Sequence, residues 1–479
     1  MIMEAKDILG ITDLNERIKK LTDRATTLPD ANALLKDWDH EKHDVTDETI
    51  RPKRKVQIEE EKRDATGRIT QQARYDWVEV NRITLPIEQD VVNIHTAFTL
   101  GTEPKVTSDA QSEGEKSVFE VLKAVLRNNK IRYHNKRAMR SWLAETEVAE
   151  YWYKVEDKSW WAKILRLMKL SSDSPTNKLK VALWSPFRGD KLYPIFNERN
   201  DLILFTREYK TKDEEGKEYT KYMVIDNAYV TIISDKNGQI TEDSPVKHGF
   251  EKMPVIYMWR AKPFCHKIKR IRNRLETLMS NYADCIDYNF APKLAAKGTV
   301  AGVQNRGTSS EIILLEQGAE IGYISWQQSS ETAKFEFDSL TEKCYSLTNT
   351  PRISFENLQG MGNTFSGVAF EFAFMGAHMA VHIHAEDVEE YLQRRVNFLL
   401  SAIGSVAPKL QSDAEKINVE VEIVPFIIKN KKDNVELAAA AVEGGIASRK
   451  SGIILAGLTD AVEEELAQIE ADESKSAVQ

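Results

Sequence analysis

The chain is poor in cysteine, with only Cys265, Cys285 and Cys344 among 479 residues. An odd, widely spaced set offers neither a disulfide framework nor a Cys-x-x-Cys metal site, which points to a reducing cytoplasm as birthplace. Long apolar runs are missing as well. None approaches the ~20 residues of a membrane span, and the opening Met1-Ile-Met-Glu-Ala-Lys-Asp lacks the charge order of a signal peptide. Positive charge is not in excess, since the net charge is −8. A broad grip on nucleic acid depends on Lys and Arg neutralising phosphates, so this balance argues against one. It does not argue against a wall past which DNA slides. No internal repeat of ~20–50 residues is present.

Signatures of catalysis are also lacking. Gly360-Met-Gly-Asn-Thr-Phe-Ser-Gly resembles a phosphate loop only superficially. No Lys-Ser/Thr follows it, and Phe365 stands where G-x-G-x-x-G needs glycine, so these glycines read as flexibility. No serine lies in a G-x-S-x-G elbow. Cys265 adjoins His266, but neighbours on a helix face different directions and form no dyad. His378 and His382 sit one helical turn apart, an acceptable zinc pair, with His384, Glu386 and Asp387 nearby. His384 points elsewhere and Met379 occupies the place of a metalloprotease Glu, so histidines packed along a helix are the simpler reading. The expectation is no catalytic residue, no metal, no cofactor and no enzyme activity.

What the chain does have is an ordinary soluble balance, 42% hydrophobic and 29% charged. At about 150 residues per domain, its length suggests roughly three structural units. The first ~85 residues are polar. Leu14, Ile18 and Leu21 hint at a short helix, and the basic run Arg51-Pro-Lys-Arg-Lys is offset by the acidic run at Glu59, which suits a solvated arm. Val91, Val92, Ile94, Phe98 and Leu100 form a helical stripe ended by Gly101 and Pro104. Val118, Val121, Leu122, Val125 and Leu126 mark an amphipathic helix pattern over 115–147, breakable at Arg127-Asn-Asn-Lys.

An aromatic, β-rich stretch follows, with Trp152, Trp160, Trp161 and Trp184. Hairpin turns are expected at Asp213-Glu-Glu-Gly and Asp235-Lys-Asn-Gly, because Asn-Gly supplies the positive φ such turns need. Met253-Pro-Val-Ile-Tyr-Met-Trp closes this β unit. Ile268, Ile271, Leu275, Leu278, Tyr282 and Ile286 then keep helical spacing from His266 to about Phe290, a glycine-rich β-containing insert spans 291–328, and a second helix covers Glu331–Leu347. A proline-bounded, glycine-rich loop after Asn349 leads into a long helical pattern that Ser366 can cap. Ile417, Val419, Val421 and Ile423 alternate with polar residues as a half-buried strand. Short helices with a cap at Ser448 and an acidic tail complete the chain. Along the first helix after the β unit, Lys267, Arg270 and Arg274 form one basic stripe, and Lys269 and Arg272 a neighbouring one. Contact with phosphates or an acidic subunit and a merely solvated face are equally compatible with that spacing.

Thr350-Pro-Arg followed by Gly362-Asn-Thr-Phe-Ser-Gly-Val-Ala resembles the tunnel-loop region of tailed-bacteriophage portal proteins of the siphophage type. Val92-Asn-Ile-His-Thr-Ala-Phe-Thr-Leu-Gly-Thr-Glu-Pro looks like their early wing motif, and Gly444-Gly-Ile-Ala-Ser-Arg-Lys-Ser like their crown. The collinear order extends from about Asp90 to the end. The resemblance implies an α+β portal fold. Its parts would be an N-terminal arm, partly disordered or peripheral (1–85), an α/β wing (86–262), a first stem helix (263–290) and a small β-containing clip (291–330). A second stem helix (331–350), a tunnel loop (351–365), a long helix with a wing return strand (366–430) and a helical crown with acidic tail (431–479) would follow.

It also implies a homododecameric ring at a capsid vertex of the virion, assembled in the host bacterial cytoplasm. Double-stranded DNA would pass non-specifically through the channel. Large terminase subunit, head–tail adaptor, major capsid and scaffold proteins would be partners, and no membrane would be involved. Arg352, Gln359, Gly360, Gly362 and Asn363 would lie at the channel, and Lys267, Arg270 and Arg274 on a basic stem face. Another head–tail connector or minor capsid protein would lack this stem–insert–stem–loop order, and a DNA-processing enzyme would show a carboxylate cluster.

Overall fold

The computed structural model describes residues 5–24, 27–59, 61–63, 66–156, 177–290, 293–297, 300–305, 311–315, 320–324, 330–352, 374–426, 431–459 and 462–476. Its main helices are Ala5–Leu9 (α1), Leu14–Leu21 (α2), Ala31–Trp38 (α3), Ile87–Leu100 (α4), Glu113–Asn128 (α5) and Ile131–Glu145 (α6). They continue with Lys269–Phe290 (α7), Ser330–Leu347 (α8), Met375–Val406 (α9), Gln411–Lys416 (α10), Lys431–Glu443 (α11), Arg449–Ala456 (α12) and Val462–Ser476 (α13). The mixture of helix and antiparallel sheet is the expected α+β class.

The described chain divides into two compact units rather than three, and neither is a sequential block. The first comprises residues 5–93, 137–156 and 177–348, the second 94–136 and 349–476. Both α4 and α6 contribute residues to each.

In the first unit, Lys191–Phe196, Leu202–Lys212, Glu218–Ile225, Tyr229–Lys236 and Gln239–Glu242 form an antiparallel meander. Both expected hairpins are present. Asn237 and Gly238 take φ of 55° and 90°, the left-handed pair that a tight hairpin requires. The sheet is buried on both faces, which explains the run Leu-Ile-Leu-Phe-Thr where strict alternation would otherwise be expected. Leu204, Val224 and Ile233 pack one face against Ile8 of α1 and Leu21 of α2. Phe205 and Ile225 pack the other against Ala149, Trp184, Val255 and Tyr257. Those last residues lie on a separate three-stranded sheet of Glu147–Glu156 with Val255–Trp259 and Asn177–Trp184 on its two sides. The Pro-Val-Ile strand therefore does not extend the meander. Trp160 and Trp161 lie outside the described residues.

Residues 1–85 read in sequence as an arm, partly disordered or peripheral, whereas the described helices of this segment pack into the first unit. Ile8 and Leu21 are fully buried, each worth about 1.5–3 kcal/mol of transfer free energy. Arg24 reaches Glu147 at 2.8 Å and stacks over Tyr193. By contrast, the hairpin of Arg54–Glu59 with Arg74–Val78 and the described residues between its strands are largely exposed. The sequence hid this integration because the segment's apolar residues are few and spread among charges.

The first unit also holds α7, α8 and the strands between them, where Lys293–Lys297 pairs with Glu320–Ile324 and Val300–Asn305 with Glu311–Leu315.

In the second unit, α9 packs on α5 and on the strand Val419–Glu422, which pairs with Lys105–Ser108. The cap expected at Ser366 lies outside the described residues; the described helix starts at Met375, with no side-chain cap at Phe374, and ends at Val406. The 115–147 pattern is split as anticipated, and Ser112 and Glu115 close a capping box on α5. Ser448 caps α12 through the Ser451 N–H.

Candidate functional site

The best-defined polar site is built along α7, within the first unit. One long helix is bound turn by turn by the segment from Asp37 to Glu88. Lys269 Nζ meets the Asp37 carboxylate at 2.8 Å, and Asn273 donates to Asp44 at 2.9 Å. Glu276 accepts from the Leu85 N–H at 2.9 Å, and Ser280 Oγ from the Ile83 N–H at 2.9 Å. Farther along, Asp284 takes Arg51 at 2.6 Å and the Asn81 N–H at 2.7 Å, while Asp287 takes the Asn81 side chain. Positions 269, 273, 276, 280, 284 and 287 advance by three or four residues, so the strap follows a single helix face.

At its centre is a buried ionic cluster. Arg272 is 1% exposed and Glu276 fully buried. The Arg272 guanidinium contacts Asp37 and Glu88, each at 3.3 Å, and donates to His43 Nε2. The other ring nitrogen, Nδ1, meets the Glu276 carboxylate at 2.5 Å, and Nε2 also lies 3.1 Å from the Asp37 carbonyl oxygen. Burial pushes the Glu88 carboxyl above its usual range, and nearby Arg272 only partly offsets this. Clusters of this kind gain little net free energy over an apolar core, but an incomplete one is costly, so they fix register.

The two expected basic stripes therefore have different fates. Lys269 and Arg272 are committed to structural pairs, which corrects their reading as surface. Lys267, Arg270 and Arg274 are exposed. Lys267 lies over the Phe264 ring, its ammonium pKa lowered by desolvation. Arg274 pairs with Glu336 of α8 at 2.8 Å. Arg270 has no partner among the described residues.

Arg352 is exposed at the edge of the described chain, and Gln359, Gly360, Gly362 and Asn363 lie outside it. His378 packs edge-on to Phe98, and His384 is buried edge-on to His95, which meets Thr350 Oγ1 at 2.9 Å. His382 is exposed. The described residues contain no group of three His, Cys, Asp or Glu placed to hold a metal. Cys265 is buried with its thiol pKa raised by desolvation, and Cys344 is pushed up to about 12 in the same way, the opposite of an activated nucleophile. No described helix is long and apolar enough to cross a membrane.

Sequence reasoning missed Asp37, His43 and Glu88 as partners of α7. The only available signal was the buried-face position of Glu276 on the helical stripe of Ile268 and Leu275.

The order along the chain is a meander, a long helix, two nested strand pairs, a second helix, and then a longer helix beyond Arg352. A solved structure described as the neck of an empty GTA particle, computed with C6 symmetry, aligns with 78% of this chain and 90% of its own at 11% identity and a TM-score of 0.40. No curated protein matches the chain. The family model described as phage portal protein, SPP1 Gp6-like, matches residues 57–479, nearly the whole chain and all of α4 to α13, and the chain therefore belongs to the SPP1 Gp6-like family of phage portal proteins.

Proposed function

We propose that the chain assembles into a twelve-subunit ring at one vertex of a phage capsid, as a conduit for DNA entering and leaving the head. The family match over residues 57–479 carries this reading. In it, residues 86–262 form the wing, 263–290 and 331–350 the two stem segments, 291–330 the clip, 351–365 the tunnel loop, 366–430 the long helix with its return strand, and 431–479 the crown. At ~1.5 Å per residue, α7 and α8 are about 33 and 27 Å long, suited to crossing a capsid wall. The clip docks the large terminase subunit and later the head–tail adaptor, the stem meets capsid and scaffold proteins, and the ring is part of the virion. Its role is structural rather than enzymatic.

Exposed apolar residues support assembly. Ile286, Tyr288 and Phe335 are 41%, 62% and 75% exposed on α7 and α8. Met375, Met379 and Ile383 repeat along one exposed face of α9. Such residues suit contacts with neighbouring subunits. Arg352, Gln359, Gly360, Gly362 and Asn363 face the lumen, and the −8 of each chain makes its wall repulsive on average to passing phosphates.

Negative-stain electron microscopy with light scattering on the same sample tests the reading. Rings with a central hole, at a mass near twelve 54.6 kDa chains, are expected. A compact closed dimer without a channel would overturn it. Asn363→Lys should slow DNA packaging while leaving the ring intact; unchanged packaging removes Asn363 from the channel.

A further inference from the structure

From Val121 to Ala144 the chain carries seven cations and no acid, in a protein of net charge −8. The run lies on α5, the joint after it and α6. In the second unit, Lys123, Arg127, Lys130, Arg132 and Tyr133 line an open groove of about 510 Å³ with Glu103, Pro104, Val106, Leu126 and Ile131. Glu103 is the one acid in that lining.

Arg127, Lys130 and Arg132 are exposed, and none of their side chains has a hydrogen-bond or ion-pair partner among the described residues. Lys123 differs, pairing with Glu120 at 3.0 Å. Tyr133 is 60% exposed beside Arg132. The opposite side of α6 is anchored, because buried Arg395 of α9 donates to Asn135 Oδ1 at 2.7 Å. The cations are thus held outward by a packed helix rather than carried on a loose loop.

The joint adds an independent sign. Lys130 has φ of 51°, a left-handed conformation that costs a side-chain-bearing residue more than glycine. A helix-to-helix joint open to solvent would accept glycine or asparagine more easily, yet it presents an ammonium group. Strain of this kind at an exposed site is a pointer to use.

We infer that this groove binds the phosphate backbone of duplex DNA, without sequence preference, through residues other than 351–365 and the basic face of α7. Unpaired cations call for a polyanion. An open groove suits a polymer lying across it, and an aromatic ring interleaved with Arg and Lys suits nucleic acid better than an acidic peptide. No array of side-chain amides is aimed into the groove to read base edges, so the contact positions DNA rather than selecting it. The inference goes beyond the channel reading, and its test involves no packaging, so either can fail without the other.

The test is binding of a short labelled duplex to the full-length protein between about 50 and 200 mM salt. With the four lining cations each neutralising one phosphate, log K should fall against log salt with a slope of about −4. Arg127→Glu/Lys130→Glu/Arg132→Glu should lose at least about tenfold in affinity and about three units of slope, whereas Lys267→Glu/Arg270→Glu should bind as the parent does. Lys130→Gly relieves the left-handed strain, so it should melt no lower than the parent yet lose about one unit of slope. Parent-like binding by the triple variant overturns the inference. So does saturation of the groove by a peptide of residues 462–476 that the duplex cannot match, which would assign it to an acidic protein segment.

Discussion

Arg272 holds a full charge where almost no water reaches, and its neighbours are arranged around that fact. Asp37, Glu88 and His43 converge on it from segments distant in sequence, and Glu276, one turn along the same helix, holds His43. Replacing Arg272 with Met leaves Glu276 and Glu88 buried without their counter-charge and should cost about 3–5 kcal/mol, read as a lower urea midpoint. Burial also raises the carboxyl pKa of Glu88, Glu145 and Glu147. A carboxyl raised in the native state binds its proton more tightly folded than unfolded. Its contribution is therefore complete below the unfolded value and is lost as pH climbs through the native one. Stability from these three groups should decline as pH rises above about 4.3, and Glu88→Gln should narrow the gap between urea midpoints at acid and neutral pH. An unchanged gap would show that Glu88 ionises without penalty. Apart from the buried-face position of Glu276, this cluster was not legible beforehand. Helical spacing put Arg272 on a stripe, but spacing within one helix says nothing about a histidine 229 residues earlier.

At the scale of elements, punctuation residues carried most of the legible information. Gly101 reads in sequence as the stop of α4, and it follows the last helical residue, Leu100. A Cβ there would sit 2.2 Å from the Ala97 carbonyl oxygen. Since backbone rather than a mobile side chain must yield, Gly101→Ala should cost about 1–3 kcal/mol by thermal or urea unfolding. Ser112→Ala should cost less, about 1 kcal/mol, because it removes one capping bond and crowds nothing. If the two variants were equally stable, the close approach at Gly101 would not be strained. The Asn-Gly turn and the break between α5 and α6 were legible for the same local reason. Sheet membership was not. Val255–Trp259 pairs with Glu147–Glu156, more than a hundred positions back, and no local pattern specifies that partner. Likewise the stripe of α7 predicts burial to Ile286, but burial stops near Ser280 and leaves Ile286 and Tyr288 exposed.

For the whole molecule, the family resemblance implies an order of parts, and the structure shows what holds the first unit together. The N-terminal segment covers one face of the meander and one face of α7. Deleting residues 1–85 should therefore yield aggregated or unfolded protein, because Leu204, Val224, Arg272 and Glu276 would all be uncovered. A truncated chain that stays soluble and melts at the parent temperature would show the segment to be an accessory. The strap also bears on how the chain is made. His43 and Asp37 leave the ribosome about 230 residues before the helix they grip. At roughly 5–20 residues per second, they wait about 10–50 s for Arg272 and Glu276 to emerge. For most of that interval Ile8 and Leu21, and for all of it His43, lack their native partners, and a second nascent chain could supply substitutes. Synthesis of this subunit should thus be sensitive to chaperone supply and to crowding of ribosomes on one message, well before any ring begins to close.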